Sequence, residues 1–253
     1  QVAEFQADML HQFDPNPAGR RLTDDVLERF TAALATANVP EAERPAQVAA
    51  FRDLWMRVDA TDVAKALVDQ AVLQPAVVAI EARFAGQPLV AAKLRHTLAT
   101  LYFELGLFAE ALPLEVSALE TRRRLLGDDA PDTMTSINDL ALLQGANGKL
   151  DEAETLAREV LERRLRVSGA DDPDTGTARK NLAVLLVERG RAAEAEPLAR
   201  KTLERRRRVA GPDHPSTIDA VAELGYVLEA TGKFAEAETC YREALAKRRV
   251  VLG

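Results

Sequence analysis

The chain is poor in the residues that usually carry chemistry. Its 253 residues include one cysteine, Cys240, three histidines and only 5% aromatics. One cysteine excludes an internal disulfide; it fits a reducing compartment without requiring one. His11, His96 and His214 lie far apart, and no pair of metal-binding residue types has the spacing of a ligand set, so neither metal nor cofactor is expected. Ser168, Ser216 and Cys240 lack a histidine suitably placed to activate a nucleophile. GxGxxG, HRD and DFG strings are all missing, which removes a kinase catalytic core. No uninterrupted apolar run approaches the roughly 18 residues of a membrane span, so direct membrane insertion is not expected. Bulk positive charge is lacking too. The net charge is −7, from 33 basic and 40 acidic residues; it divides as −5 in 1–84 (8 basic, 13 acidic) and −2 in 85–253 (25 basic, 27 acidic). Neither part has the electrostatic footprint of a nucleic-acid binder.

What is abundant is alanine, leucine, glutamate and arginine, a helix-forming set, arranged with a period. Pro131, Pro173 and Pro215 stand 42 residues apart, as do Leu140, Leu182 and Leu224. Gly106, Gly148, Gly190 and Gly232 carry the register one unit further towards the N-terminus, as do Ala111, Ala153, Ala195 and Ala237. Four units follow: 85–126, 127–168, 169–210 and 211–252. Each reads as two helices. In the second unit a proline opens the first helix, where its missing N–H costs nothing. Ile137, Leu140 and Ala141 mark that helix's apolar face, and Asn147-Gly148 ends it. A second helix is predicted from Leu150 to Val167, with Ala153, Leu156, Ala157, Val160 and Leu161 on one face. Such pairs cannot bury their apolar faces alone, so they must stack.

The strings GPDHPST, KNLAVLL, GKLDEAE and LERRRRVAG resemble the 42-residue tetratricopeptide repeats of the kinesin light chain type, which are longer than the usual unit of about 34 residues. HEAT and armadillo units have similar lengths; the Gly-x-x-x-Glu-Ala signature between the helices favours the tetratricopeptide reading. Unit 85–126 departs from the pattern, with Leu89 and Ala91 where later units have Pro-x-Thr. The resemblance implies an all-α, right-handed α-solenoid of helix-turn-helix repeats over 85–253. Residues 1–84 do not repeat and read as a helical N-terminal cap. Its helices are predicted at about 1–11, 22–37, 42–57, 62–73 and 75–84. A break is expected at Pro15, Asn16, Pro17 and Gly19, and N-caps at Thr23 and Thr61. FQADML, TDVAKALVDQAVLQPAV and AGQPLVAAKLRHTLA resemble the region following the kinase domain of some large bacterial serine/threonine kinases.

By the family register, the first helices line a concave groove. Lys93, His96 and Thr100 face it in the first unit, Asn138 and Asp139 in the second, Lys180 and Asn181 in the third, and Glu223 and Tyr226 in the fourth. Lys93, His96 and Lys180 could hold an acidic group of a peptide, which Asp139, Glu188, Asp219 and Glu223 would repel. Asn138 and Asn181 stand at adjacent rather than equal repeat positions. Recurring arginines (122–124, 163–164, 205–208, 248–249) form a stripe that could hold nucleic acid, but without aromatic stacking partners; they are expected to pair with the aspartates between repeats. GANGK at 145–149 lacks the glycine and the Ser/Thr of a phosphate loop and reads as a turn.

The expected function is therefore a non-catalytic scaffold for a peptide or protein, with the regulatory region of a bacterial kinase as the alternative. The chain opens at Gln1 rather than a methionine, which suggests a piece of a larger protein. The expected location is cytoplasmic, or extracytoplasmic if a membrane span precedes Gln1. Phe234, Tyr241 and Leu245 near the end suggest self-association or a continuing array.

Overall fold

The computed structural model describes residues 15–37 and 39–252. Among them there are helices and turns but no strand. They form two compact units. One holds the described residues up to 86 together with 104–106; the other holds 87–103 and 107–252.

The first unit contains α1 (Pro15–Thr36), α2 (Arg44–Trp55), α3 (Ala60–Val68) and α4 (Gln74–Arg83). The expected helix over 1–11 lies outside the described residues. The expected break at Pro15, Asn16, Pro17 and Gly19 is not observed: these residues open α1. A first helical turn has N–H groups with no intrahelical acceptor, so prolines there cost no bond. Thr23 is therefore inside α1 rather than a cap, and its hydroxyl accepts a hydrogen bond from Trp55 Nε1 at 3.1 Å. Thr61 is not the cap of α3 either. Asp59 is, its carboxylate accepting from the backbone N–H of Thr61 (2.9 Å) and Asp62 (3.3 Å). The expected division between residues 73 and 75 is replaced by a π-helical turn, Asp69–Leu73, that joins α3 to α4. A wider turn relieves the backbone clash that Pro75 would otherwise create. The joined run Ala60–Arg83 spans 24 residues and is long and apolar enough, by length and composition alone, to cross a membrane. Asp62, Lys65, Asp69 and Glu81 interrupt it, which is why no unbroken apolar run marks it. Ala64, Leu73 and Ile80 are its buried residues.

The second unit is a row of helix pairs: α5 (Pro88–Glu104) and α6 (Phe108–Leu126), α7 (Pro131–Ala146) and α8 (Leu150–Val167), α9 (Pro173–Glu188) and α10 (Ala192–Val209), α11 (Pro215–Ala230) and α12 (Phe234–Leu252). From α6 onward each helix packs on the next, and α7, α9 and α11 also touch in sequence. The predicted helix Leu150–Val167 is observed at those bounds. Pro131, Pro173 and Pro215 open α7, α9 and α11. Glycines of positive φ recur every 21 residues from Gly106 to Gly232, at helix ends. Gly148, at φ 77°, shows why: the left-handed turn that frees the chain from α7 would strain any residue with a Cβ.

Small side chains set the helix spacing. Ala141, Ala153 and Ala157 are at most 1% exposed, and Met134, Ile137 and Val160 fill the space between them. The recurrent arginine inside this stack is satisfied rather than free. Arg122 donates to Ser136 Oγ and the Asp132 carbonyl, and Arg164 pairs with Asp174 at 2.7 Å. The outer arginines hold the loops between pairs: Arg163 to Asp128 and Asp129, Arg205 and Arg208 to Asp171. GANGK is a helix end, with the Lys149 N–H returning to the Gln144 carbonyl.

Candidate functional site

Stacking α5, α7, α9 and α11 brings residue i of one first helix against residue i+43 of the next. Three pairs result, and they contain six of the nine residues read from the sequence. His96 Nε2 lies 3.8 Å from Asp139 Oδ2. Asn181 Nδ2 donates to Asn138 Oδ1 at 2.9 Å. Lys180 Nζ lies 3.7 Å from Glu223 Oε1. The two asparagines at unequal repeat positions are thus partners across one interface. Of the remaining three residues, Lys93 is exposed, Thr100 donates to the His96 carbonyl, and Tyr226 is exposed on α11.

Above and below the asparagine pair lie two pockets at the same register, 84 residues apart. The first, of about 220 Å³, is bounded by Thr100, Phe103, Asp139 and Leu142, with Glu115 at its side. The second, of about 250 Å³, is bounded by Lys180, Val184, Glu223 and Tyr226, with Ala199 where the first has Glu115. Glu115 was not read from the sequence. It sits on α6 at the position of Ala157 and Ala199, and this departure from a small residue was the available signal. It is 1% exposed. Its Oε2 bonds His96 Nδ1 at 2.9 Å, while Oε1 has no partner.

Burial opposes protonation of His96, but the hydrogen bond to Glu115 and the charges of Glu115 and Asp139 outweigh it, so its pKa rises above the ordinary 6.5. Burial pushes the Asp139 carboxyl above its ordinary value, against the hydrogen bond from Asn138. Burial likewise raises Glu223, against the nearby Lys180 ammonium. Two of the three cations read as holders of an acidic ligand, His96 and Lys180, therefore already face carboxylates. No group of three metal-binding side chains is gathered among the described residues.

The tetratricopeptide repeat family model matches residues 89–166, 145–208 and 174–249. The chain belongs to the tetratricopeptide repeat family. Its structural neighbours include tetratricopeptide proteins of the kinesin light chain type. A Podosopora anserina protein described as a kinesin light chain with nearly identical TPR-like repeats superposes with a TM-score of 0.61 at 22% identity, over 75% of this chain and 93% of that one. BtubC (BKLC) from P. vanneervenii gives 0.62 at 21% identity, over 93% of each chain. NprR, solved in complex with its cognate peptide NprX, gives 0.52 at 14% identity, over 98% of this chain and 72% of that one. No match is found among curated proteins.

Proposed function

We propose that this tetratricopeptide chain is a non-catalytic scaffold that binds an extended peptide segment of a partner along the face shared by α5, α7, α9 and α11. The observation that carries the reading is the ladder of i, i+43 polar pairs flanked by two pockets of one register. First helices of neighbouring repeats lie about 10 Å apart, so the pockets are separated by roughly 20 Å, which about six extended residues span. A row of side-chain pockets with polar groups between them is what an extended backbone needs for both affinity and register. The peptide complex of the NprR neighbour is consistent with such use of the fold. The polarity differs from the one expected from Lys93, His96 and Lys180. With Glu115 and Asp139 at the first pocket, a basic side chain belongs there, and an aromatic or apolar one belongs beside Tyr226.

Selection of peptides from a display library against the whole chain, followed by fluorescence anisotropy, tests this. Glu115→Gln combined with Tyr226→Ala should weaken selected peptides at least tenfold. Unchanged affinity would place binding elsewhere.

One observation favours self-association as a second reading. Leu119, Leu161 and Leu203 are 3%, 8% and 6% exposed, whereas Leu245, at the same register on α12, is 51% exposed, with Phe234 at 67% nearby. That face has the composition of one covered by another helix. A monomer at every concentration in sedimentation velocity would remove this reading.

A further inference from the structure

The third helix pair departs from its neighbours at three core positions. Met134 and Ile218, buried at one position, flank Gly176. Ile137 and Val221, buried at another, flank Arg179. Val160, buried on α8, corresponds to Thr202 on α10. All three departures line one cavity of about 320 Å³ between α9, α10 and α11, which Arg205 and Arg206 also enter.

Arg179 is 3% exposed, and its Nη2 has no hydrogen-bond partner. The guanidinium's pKa is lowered from its ordinary value, first by burial and then by repulsion from Arg205, with Asp171 only partly compensating. Arg205 is occupied by Asp171 at 2.9 Å and the Ala170 carbonyl at 2.8 Å. Arg206 donates to the Ser216 carbonyl at 2.8 Å. Asp172, the other acid at the rim, caps α9 by accepting from the Thr175 N–H at 2.9 Å. The lining therefore holds three guanidiniums against two carboxylates, both already engaged. Gly176 leaves space that a longer side chain would fill; a Cβ alone would be in ordinary contact with the Arg206 guanidinium, at 3.6 Å. A buried charge that is only partly compensated is costly for a core to hold, and this one stands where the two flanking repeats have a buried isoleucine or valine.

We infer that the cavity around Arg179 is a binding site for a small oxyanion ligand, a carboxylate or a phosphate, separate from the face of α5, α7, α9 and α11. The planar fork of Arg179 fits either group in a two-bond contact. The α9 N-terminus adds a favourable dipole, and the volume leaves space for a small organic part beyond the anionic group. A bound anion would neutralise the surplus positive charge and give Nη2 its missing acceptor.

Calorimetric titration of the whole chain with inorganic phosphate, phenyl phosphate and benzoate, at ionic strength held constant with sodium chloride, tests this. Saturable binding of at least one probe is expected, and the ranking of phenyl phosphate against benzoate assigns the group. Arg179→Ile, which restores the neighbouring repeat's residue, should weaken binding more than tenfold and raise the melting temperature of the anion-free protein. Arg179→Lys keeps the charge but loses the fork, and should weaken binding with little change in melting. Gly176→Met refills the cavity and should also lose binding. No saturable binding of any probe, unchanged binding in Arg179→Ile, or a lower anion-free melting temperature in that variant would each overturn the inference. The last result would make Arg179 a structural residue.

Discussion

The second and third repeats of the tetratricopeptide array, 127–168 and 169–210, follow the same register, yet one is closed and the other is hollow. Met134, Ile137 and Val160 are each at most 1% exposed and interdigitate in the core. Gly176, Arg179 and Thr202 at the same positions enclose a cavity of about 320 Å³. The helices around them keep the same lengths, α7 and α9 at 16 residues, α8 and α10 at 18. A solenoid allows this because each repeat is stabilised by its nearest neighbours. One unit can give up packing while the flanking interfaces hold its backbone in place. The face of the first helices shows the same logic more gently: three successive interfaces carry a His–Asp, an Asn–Asn and a Lys–Glu pair in one geometric slot.

The largest expected effect comes from forcing the closed repeat to resemble the hollow one. Ile137→Arg buries a guanidinium where no cavity receives it, and should cost about 3–5 kcal/mol in urea unfolding. Arg179→Ile should move stability in the opposite direction. Equal losses in both variants would erase the contrast between the two repeats. Next in size is the contrast between an inner helix and α12. Leu161→Ala should cost about 3 kcal/mol, and Leu245→Ala less than about 1 kcal/mol at low protein concentration. Equal costs would mean that α12 is covered in solution.

The third prediction concerns pH at the first pocket. The folded-state pKa of His96 is raised above 6.5, so its contribution to stability is fully present below 6.5 and is lost as pH rises through the folded value. The difference in urea midpoint between the native chain and His96→Gln should therefore shrink from acid to neutral and alkaline pH. A difference that grows with pH would contradict the His96–Glu115 pair. The smallest effect is expected at the loops. Arg166 and Asp129 form an exposed pair, with side chains 61% and 49% exposed, and Arg166→Ala should cost less than about 1 kcal/mol. Denaturant midpoints resolve whether any loop pair exceeds that.

The repeat array was legible because its signals are local and recur. A proline at a helix start, a glycine at a helix end and an alanine at a close contact each have one physical reason, and a 42-residue period multiplies it. The N-terminal unit has no such redundancy. Pro15 and Pro17 were read as breakers although a first turn tolerates them, and Thr61 was preferred over Asp59 as a cap by a shift of two residues. Pro75 does lie in the first turn of α4, but the chain enters that helix through a π turn rather than a break. The groove was half legible. His96, Asn138, Asp139, Lys180, Asn181 and Glu223 were named one by one, but their pairing depends on a one-residue offset between stacked helices that a comparison of equal repeat positions does not reveal. Glu115 and Arg179 went unread for a related reason. Each is an ordinary residue of a charged helix until its register equivalents, Ala157 and Ile137, are seen to be buried.

Period, helix type and helix bounds in the array thus follow from the order of residues, since backbone hydrogen bonding and capping act within a few positions along the chain. The offset that joins Asn138 to Asn181, the burial of Glu115 and the hollow around Arg179 arise only when the helices stack. Burial is what turns an unremarkable charge into a costly one, and burial is a property of neighbours about 42 residues away.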